Sequence, residues 1–315
     1  MRKGIVFALS ACFIWGWIFI IPQYMEGFSS FEVTLGRYFF YGTISLLILC
    51  HKLLQGGCRY PLAIWTKSFI YSIFASIGYY TFVVLSMRYC SPAMCALILG
   101  TSPITISFYG NWKQQECHFK ALIIPSILIL LGLVIINMPH LRMSISPWEY
   151  SIGIFCGFIS LMAWSWYAVA NSLFLKSHPH VASSDWCTLI GVSTLIWVMI
   201  CAGIFFFIFA DEELELDKFS TLTPLLRNYL IGSSLLGFIC SWLGAFLWNK
   251  ASFHLPVSLA GQLTIFETIF GVVFVYAIAQ ELPPQTDCLG IAFLLSGIVY
   301  GIRISLRHSM KHAIT

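Results

Sequence analysis

Ten times along this chain, apolar residues run for about twenty positions with scarcely a charge among them, the length an α-helix needs to cross the hydrocarbon core of a bilayer. The runs lie near 4–25, 32–54, 66–88, 93–112, 119–138, 150–174, 186–210, 227–250, 256–279 and 288–307. Charges, Pro and Gly cut them apart: Cys90-Ser91-Pro92 divides the third from the fourth, and Lys113-Gln114-Gln115-Glu116 the fourth from the fifth. Of 315 residues, 59% are hydrophobic and 10% charged, whereas soluble domains carry roughly 25% charged residues. A water-soluble domain of this length could not hide so much apolar surface, but a bilayer solvates it. The pattern predicts an all-α polytopic membrane protein with ten transmembrane helices.

Several other readings fail on the residues. Met1-Arg2-Lys3 before an apolar stretch resembles a signal peptide, yet the stretch outruns the 7–15 residues of an h-region and no small-residue cleavage site follows. It is read as the first spanning helix. Cys12, Cys50, Cys95, Cys156, Cys201 and Cys240 fall inside apolar runs and no CxxC occurs, so the thiols are expected to be free and buried as small hydrophobes. His178-Pro-His180 has no Cys or carboxylate cluster beside it and reads as loop, so no metal is expected. The net charge of +4 comes from basic residues scattered between apolar runs, which is no nucleic-acid surface. HExxH, GxSxG and GxxxxGK[ST] are absent, which argues against an intramembrane enzyme and against ATP-driven pumping, and no cofactor is expected.

Orientation follows from charge. With both termini on one side of the membrane, that side holds twelve of the 17 Lys and Arg residues, the other side holds Arg88, Arg142, Lys218 and Arg227, and Arg37 lies within a helix. The acidic stretch Asp211-Glu212-Glu213 with Glu215 and Asp217 falls on the Lys/Arg-poor side. Positive residues collect in cytoplasmic connections, so both termini are expected to be cytoplasmic.

The chain also compares with itself. Gly4-Ile5 with Trp15-Gly16-Trp17 returns 149 residues later as Gly153-Ile154 with Trp164-Ser165-Trp166. Ser91-Pro92-Ala93 with Ala96 and Leu99 returns 164 residues later as Leu255-Pro256-Val257 with Ala260 and Leu263. The two halves, residues 1–145 and 146–315, would each hold five helices. An odd number makes the second half enter from the opposite side, an inverted repeat of the kind found in secondary transporters, whose solute site lies near the midplane between the halves.

These features resemble the drug/metabolite transporter superfamily, in particular its EamA-type permeases. The resemblance is carried by the five-plus-five layout, Trp15-Gly16, Arg37 early in the second helix, Ser91-Pro92-Ala93 at the start of the fourth and Thr101-Ser102-Pro103 in its middle. Glu116 and Glu281 each close the fourth helix of a repeat. Where many members carry Pro in the middle of the ninth helix, this chain has Phe266-Glu267-Thr268. The resemblance implies a bacterial inner-membrane carrier with a central cavity walled mainly by helices 1, 3, 4, 6, 8 and 9. Some members export amino acids and others move further metabolites.

Within this frame, polar and aromatic residues inside apolar runs are the candidate site. Glu267 sits near the bilayer centre, where a carboxylate is costly unless paired, hydrated or protonated; it reads as a proton-coupling site, a partner for a substrate amine, or a structural hydrogen bond. Ala260 and Thr264 share its helix face. Trp164, Tyr167 and Asn171 share one face of the sixth helix, and Trp15 is the repeat equivalent of Trp164. Tyr79, Ser102, Trp242 and Gln262 complete the candidate substrate-binding set, which suits a flat or amphipathic solute or serves plain packing. Arg37, near Tyr38 and Tyr41, reads as an anchor snorkelling to the interface or as a substrate contact. Pro103 should kink the fourth helix, as a hinge or a static bend, with hydroxyls of Thr101, Ser102 and Thr105 bonding freed carbonyls. The expected function is secondary transport of a small organic metabolite, by export or exchange and with possible proton coupling, in a monomer or homodimer. A passive channel or a structural membrane subunit is the alternative.

Overall fold

The computed structural model describes residues 1–90, 92–138, 146–208, 219 and 221–312. Ser91 of the repeat motif, Arg142, the acidic stretch 211–217 and Lys218 lie outside the described residues. Those described form helices and connections, with no strand among them. In chain order the helices are α1 (Arg2–Gly16), α2 (Ser30–Leu54), α3 (Leu62–Ala75), α4 (Ile77–Tyr89), α5 (Pro92–Gly100), α6 (Ser102–Gln114) and α7 (Phe119–Asn137). They continue as α8 (Pro147–Ser177), α9 (Ser183–Ile208), α10 (Pro224–Leu235), α11 (Gly244–His254), α12 (Val257–Leu263), α13 (Ile265–Ala279) and α14 (Gln285–His312).

Among the described residues, nine helical stretches are long and apolar enough to cross a membrane. The predicted span 93–112 is not among the nine; it is divided at Thr101 into α5, of 9 residues, and α6, of 13 residues. Both lengths are short of the roughly twenty residues a single crossing requires. Other spans are interrupted without losing their length. α1 tightens into 3-10 turns at Trp17–Phe19 and Ile21–Tyr24, α3 and α4 meet at Ser76, α12 and α13 meet at Thr264, and Leu236–Leu243 between α10 and α11 is π-helical.

Large apolar side chains in mid-helix face outward: Leu47 is 65% exposed, Phe155 66% and Met199 59%. Lipid is the solvent for which such a surface is stable. Inside, small residues let backbones approach. α7 lies along α14, and at their crossing a Cβ on Gly132 would stand 2.7 Å from the Gly290 carbonyl oxygen. Hydroxyls pair across helices, Ser68 with Ser193 at 3.0 Å and Ser76 with Thr194 at 3.3 Å, satisfying polar groups that lipid cannot. One core gathers α1, α7 and α11 to α14, and another gathers α2, α3, α8 and α9.

Candidate functional site

Between the two cores is a cavity of about 700 Å³. It runs from mid-bundle to the end where α2 and α14 begin and α4, α7 and α13 finish, bounded there by Ser30, Met87, Asn137, Tyr276 and Asp287. At the other end the wall stops at Tyr41, Tyr167 and Asn249. Beyond them the helices are bonded together. Lys52 of α2 forms a salt bridge with Asp185 of α9, and Tyr60 donates its phenol proton to the same carboxylate at 2.7 Å. Burial and the Asp185 carboxylate push the Tyr60 phenol above its ordinary range.

Aromatic rings make most of the wall. Trp164 stands edge-on to Trp15, with centroids 6.4 Å apart, and packs on Tyr79 at 5.4 Å and Tyr167 at 5.6 Å. Trp15 also packs on Trp248 at 5.3 Å. The Trp15 indole N–H donates to the Cys240 carbonyl at 2.9 Å. That carbonyl lies in the π segment, where one extra residue per turn leaves backbone oxygens off the regular ladder. Gly244 allows the approach, since a Cβ there would collide with the indole of Trp15.

Two charges face this wall. Arg37 of α2 lies over the Tyr38 ring at 5.4 Å and donates from Nε to the Ser241 hydroxyl at 2.9 Å. Both residues bound the cavity, so the guanidinium is held inward rather than drawn out to the interface. Glu267 of α13 lies in the field of Arg37, yet the Lys52–Asp185 pair is the one salt bridge among the described residues. No hydrogen bond from a described residue reaches the Glu267 carboxylate or the Tyr79 hydroxyl. A carboxylate in a bilayer is stable only when such needs are met, and here cavity water or a solute is left to meet them.

The helix breaks carry this geometry. Pro103 lacks an N–H, and the turn around it is stitched by hydroxyls: Thr101 donates to the Ile98 carbonyl at 2.6 Å and Thr105 to the Ser102 carbonyl at 3.1 Å. Thr105 also pairs with Ser165 of α8 at 2.6 Å. Thr264, at the α12–α13 break, donates to the Gly261 carbonyl at 2.6 Å and bounds the cavity with Glu267. Breaks of this kind are tolerated in a membrane where side chains satisfy the freed backbone and the segment lines a cavity.

Of the residues singled out from sequence, Trp15, Arg37, Tyr79, Ser102, Pro103, Trp164, Tyr167 and Glu267 bound this cavity together. Asn171, Trp242 and Gln262 do not. Asn171 is one turn beyond Tyr167, fully buried, where it accepts from the Trp186 indole at 2.6 Å and donates to Asn249 at 2.8 Å. It sits behind the wall and orients Asn249, which is in it. Trp242 turns away because the π segment rotates the α11 face by about a quarter-turn relative to a regular helix; it stacks on Phe238 and Phe246 and donates to Thr188 at 3.2 Å. Gln262 packs against Gly301 of α14, with its Oε1 buried and unbonded. The wall also includes Tyr38, Tyr41, Trp248 and Asp287. Asp287 is 5% exposed and accepts from the Tyr276 hydroxyl at 2.8 Å; the only hint of it in sequence is an acid at the edge of the last apolar run. α2, α7, α9 and α14 contribute to the wall beside the helices the family resemblance implied.

An all-helical, multi-pass bundle around a blind, aromatic cavity with interrupted walls defines a membrane protein of the transporter kind. Residues 2–138 of the 315 match the EamA-like transporter family. It is 27% identical over 315 residues to "Inner membrane protein YtfF" of Escherichia coli (strain K12), the match covering 96% of each chain. A solved structure described only as "Crystal structure of protein" shares the fold, with a TM-score of 0.75 at 16% identity over 98% of this chain and 99% of that one.

Proposed function

We propose that this chain is a secondary carrier that exports or exchanges a small amphipathic metabolite across the bacterial inner membrane. The observation that carries the reading is the partly unbonded polar set in an otherwise aromatic cavity: the Glu267 carboxylate, the Tyr79 hydroxyl and the inward guanidinium of Arg37. A solute with an apolar body, an ammonium for Glu267 and a carboxylate for Arg37 complements that set, which favours an amino-acid-like zwitterion. Glu267 is also the group that a transported proton would occupy in exchange for the ammonium.

In this reading the chain crosses the membrane ten times, Pro92–Gln114 making the additional crossing, with residues 1–145 and 146–315 oppositely inserted and both termini cytoplasmic. Two correspondences support it. The breaks at Thr101 and Thr264 fall in matching helices, and so do the break at Ser76 and the π segment Leu236–Leu243. The test is counterflow in proteoliposomes with labelled phenylalanine and a panel of labelled amino acids and amines. A carrier takes up label faster when unlabelled solute is trapped inside. Flux without that trans-stimulation would identify a channel, and no flux across the panel would remove this substrate class.

A further inference from the structure

Two helix ends at opposite ends of the molecule have the same local build. α6 is closed by Gln115 at φ 50° and ψ 41°, and α13 by Gln280 at φ 55° and ψ 32°. Among described non-glycine residues, only Cys58 shares the left-handed backbone. A left-handed residue turns the chain back across the helix end. In each case the next residue is a glutamate, Glu116 or Glu281, so the two carboxylates leave their helices in the same way.

Their surroundings differ. Glu116 accepts hydrogen bonds from the backbone N–H of Val257, from the backbone N–H of Ser258 at 2.8 Å and from the Ser258 hydroxyl. It ties the end of α6 to the start of α12 at the closed end of the bundle. Beside it the Ser107 hydroxyl donates to the Ser258 carbonyl at 2.9 Å. Glu281 lies at the end to which the cavity runs, and its side chain is exposed, with no hydrogen bond to a described residue. The start of α5 is at that same end, and it packs on α4, α7 and α8 rather than on α13. In the internal repeat, Pro92-Ala93-Met94 corresponds to Pro256-Val257-Ser258. Two equivalent carboxylates are thus bonded at the closed end and exposed at the open one.

We propose that Glu116 and Glu281 are alternating latches. In this state Glu116 holds the start of α12 and shuts one end. When the carrier turns over, that contact opens and Glu281 accepts the backbone N–H of Ala93 at the start of α5, shutting the other. The breaks at Thr101 and Thr264 let the outer part of each helix pair move without its inner part. The proposal rests on the carrier reading and adds to it which groups exchange.

Hydrogen–deuterium exchange on the full chain in lipid nanodiscs reads both ends at once. Hydrogen bonds to a charged acceptor are each worth roughly tenfold or more in an equilibrium. Glu116→Gln is expected to raise exchange in peptides covering 257–259 by about that factor and to lower it in peptides covering 92–95, and adding Glu281→Gln should reverse the fall. Glu281→Gln alone removes no hydrogen bond present in this state, so its folding is secure, and it is expected to lower exchange at 257–259. Faster exchange at 257–259 in Glu116→Gln with 92–95 unchanged would mean a static cap and overturns the proposal; unchanged or faster exchange at 257–259 in Glu281→Gln does the same. Trans-stimulation in the wild type is independent of these outcomes. A chain that shows it without reciprocal exchange loses only the latch, whereas a chain that lacks it loses the carrier reading.

Discussion

Trp15 of the first span and Cys240 of the π segment are joined by an indole N–H to carbonyl hydrogen bond of 2.9 Å, at the depth where both helices depart from regular geometry. The bond satisfies a backbone oxygen that lipid or an apolar wall would leave bare. Removing the donor exposes that need. Trp15→Phe should lower thermal stability in detergent by about 1 kcal/mol and also weaken retention of aromatic solutes. Unfolding midpoints of wild type and variant, with and without phenylalanine, check both effects.

In the proposed carrier, Glu267 and Arg37 would act on the solute differently. Glu267→Gln keeps the shape of the side chain while removing its charge and its ability to release a proton. Exchange flux in that variant should no longer respond to pH, while wild-type flux does. A variant whose flux follows pH as the wild type's does would take Glu267 out of proton coupling.

Arg37→Ala removes the guanidinium and its bond to Ser241. Binding of a zwitterion should weaken by about 1.5–3 kcal/mol, and binding of the matching amine, which lacks the carboxylate, should change little. Titrating phenylalanine and phenethylamine against the melting temperature separates the two.

Asn171 is predicted to matter for stability alone. Asn171→Ala leaves the Trp186 indole and the Asn249 amide without their partner in a fully buried place. The expected loss is about 1–3 kcal/mol, seen as a lower melting temperature, with trans-stimulation retained at temperatures where the protein stays folded.

Tyr60 gives a pH-dependent stability. Its folded phenol titrates above the ordinary value of 10.0 because of burial and Asp185. Its contribution is therefore fully present below about pH 10 and is lost as pH rises from there through the folded value. The melting temperature of the wild type should fall more steeply than that of Tyr60→Phe over that range, and parallel curves would assign the alkaline loss to other groups.

Much of this was legible in one sequence, for identifiable reasons. Apolar runs of bilayer length give spans because nothing else solvates them, and polar or charged groups deep within such runs are best met inside the bundle. Glu267, Arg37, Trp15, Tyr79 and Trp164 accordingly meet at one cavity. What escaped was register. The π turn moves Trp248 into the wall and Trp242 out of it, although regular helical spacing points the other way. The division of the third span at Ser76 has only Gly78, two residues on, to announce it, where a Cβ would stand 2.8 Å from the Ile73 carbonyl oxygen. Asn171 has the polarity of a site residue but is claimed by Trp186, a contact 15 positions along the chain that periodicity cannot foresee.

The donors at Glu116 have a consequence for how this protein can vary. Two of the three groups it binds are main-chain amides, of Val257 and Ser258, which every amino acid except proline supplies. Natural sequence drift can therefore rewrite position 257 freely within its packing volume while the bond persists. The acceptor has no such freedom, because no side chain other than a carboxylate of the right length reaches both amides as an anion. Selection on this contact would be visible on one partner and silent on the other, so a search for covarying pairs would pass over it.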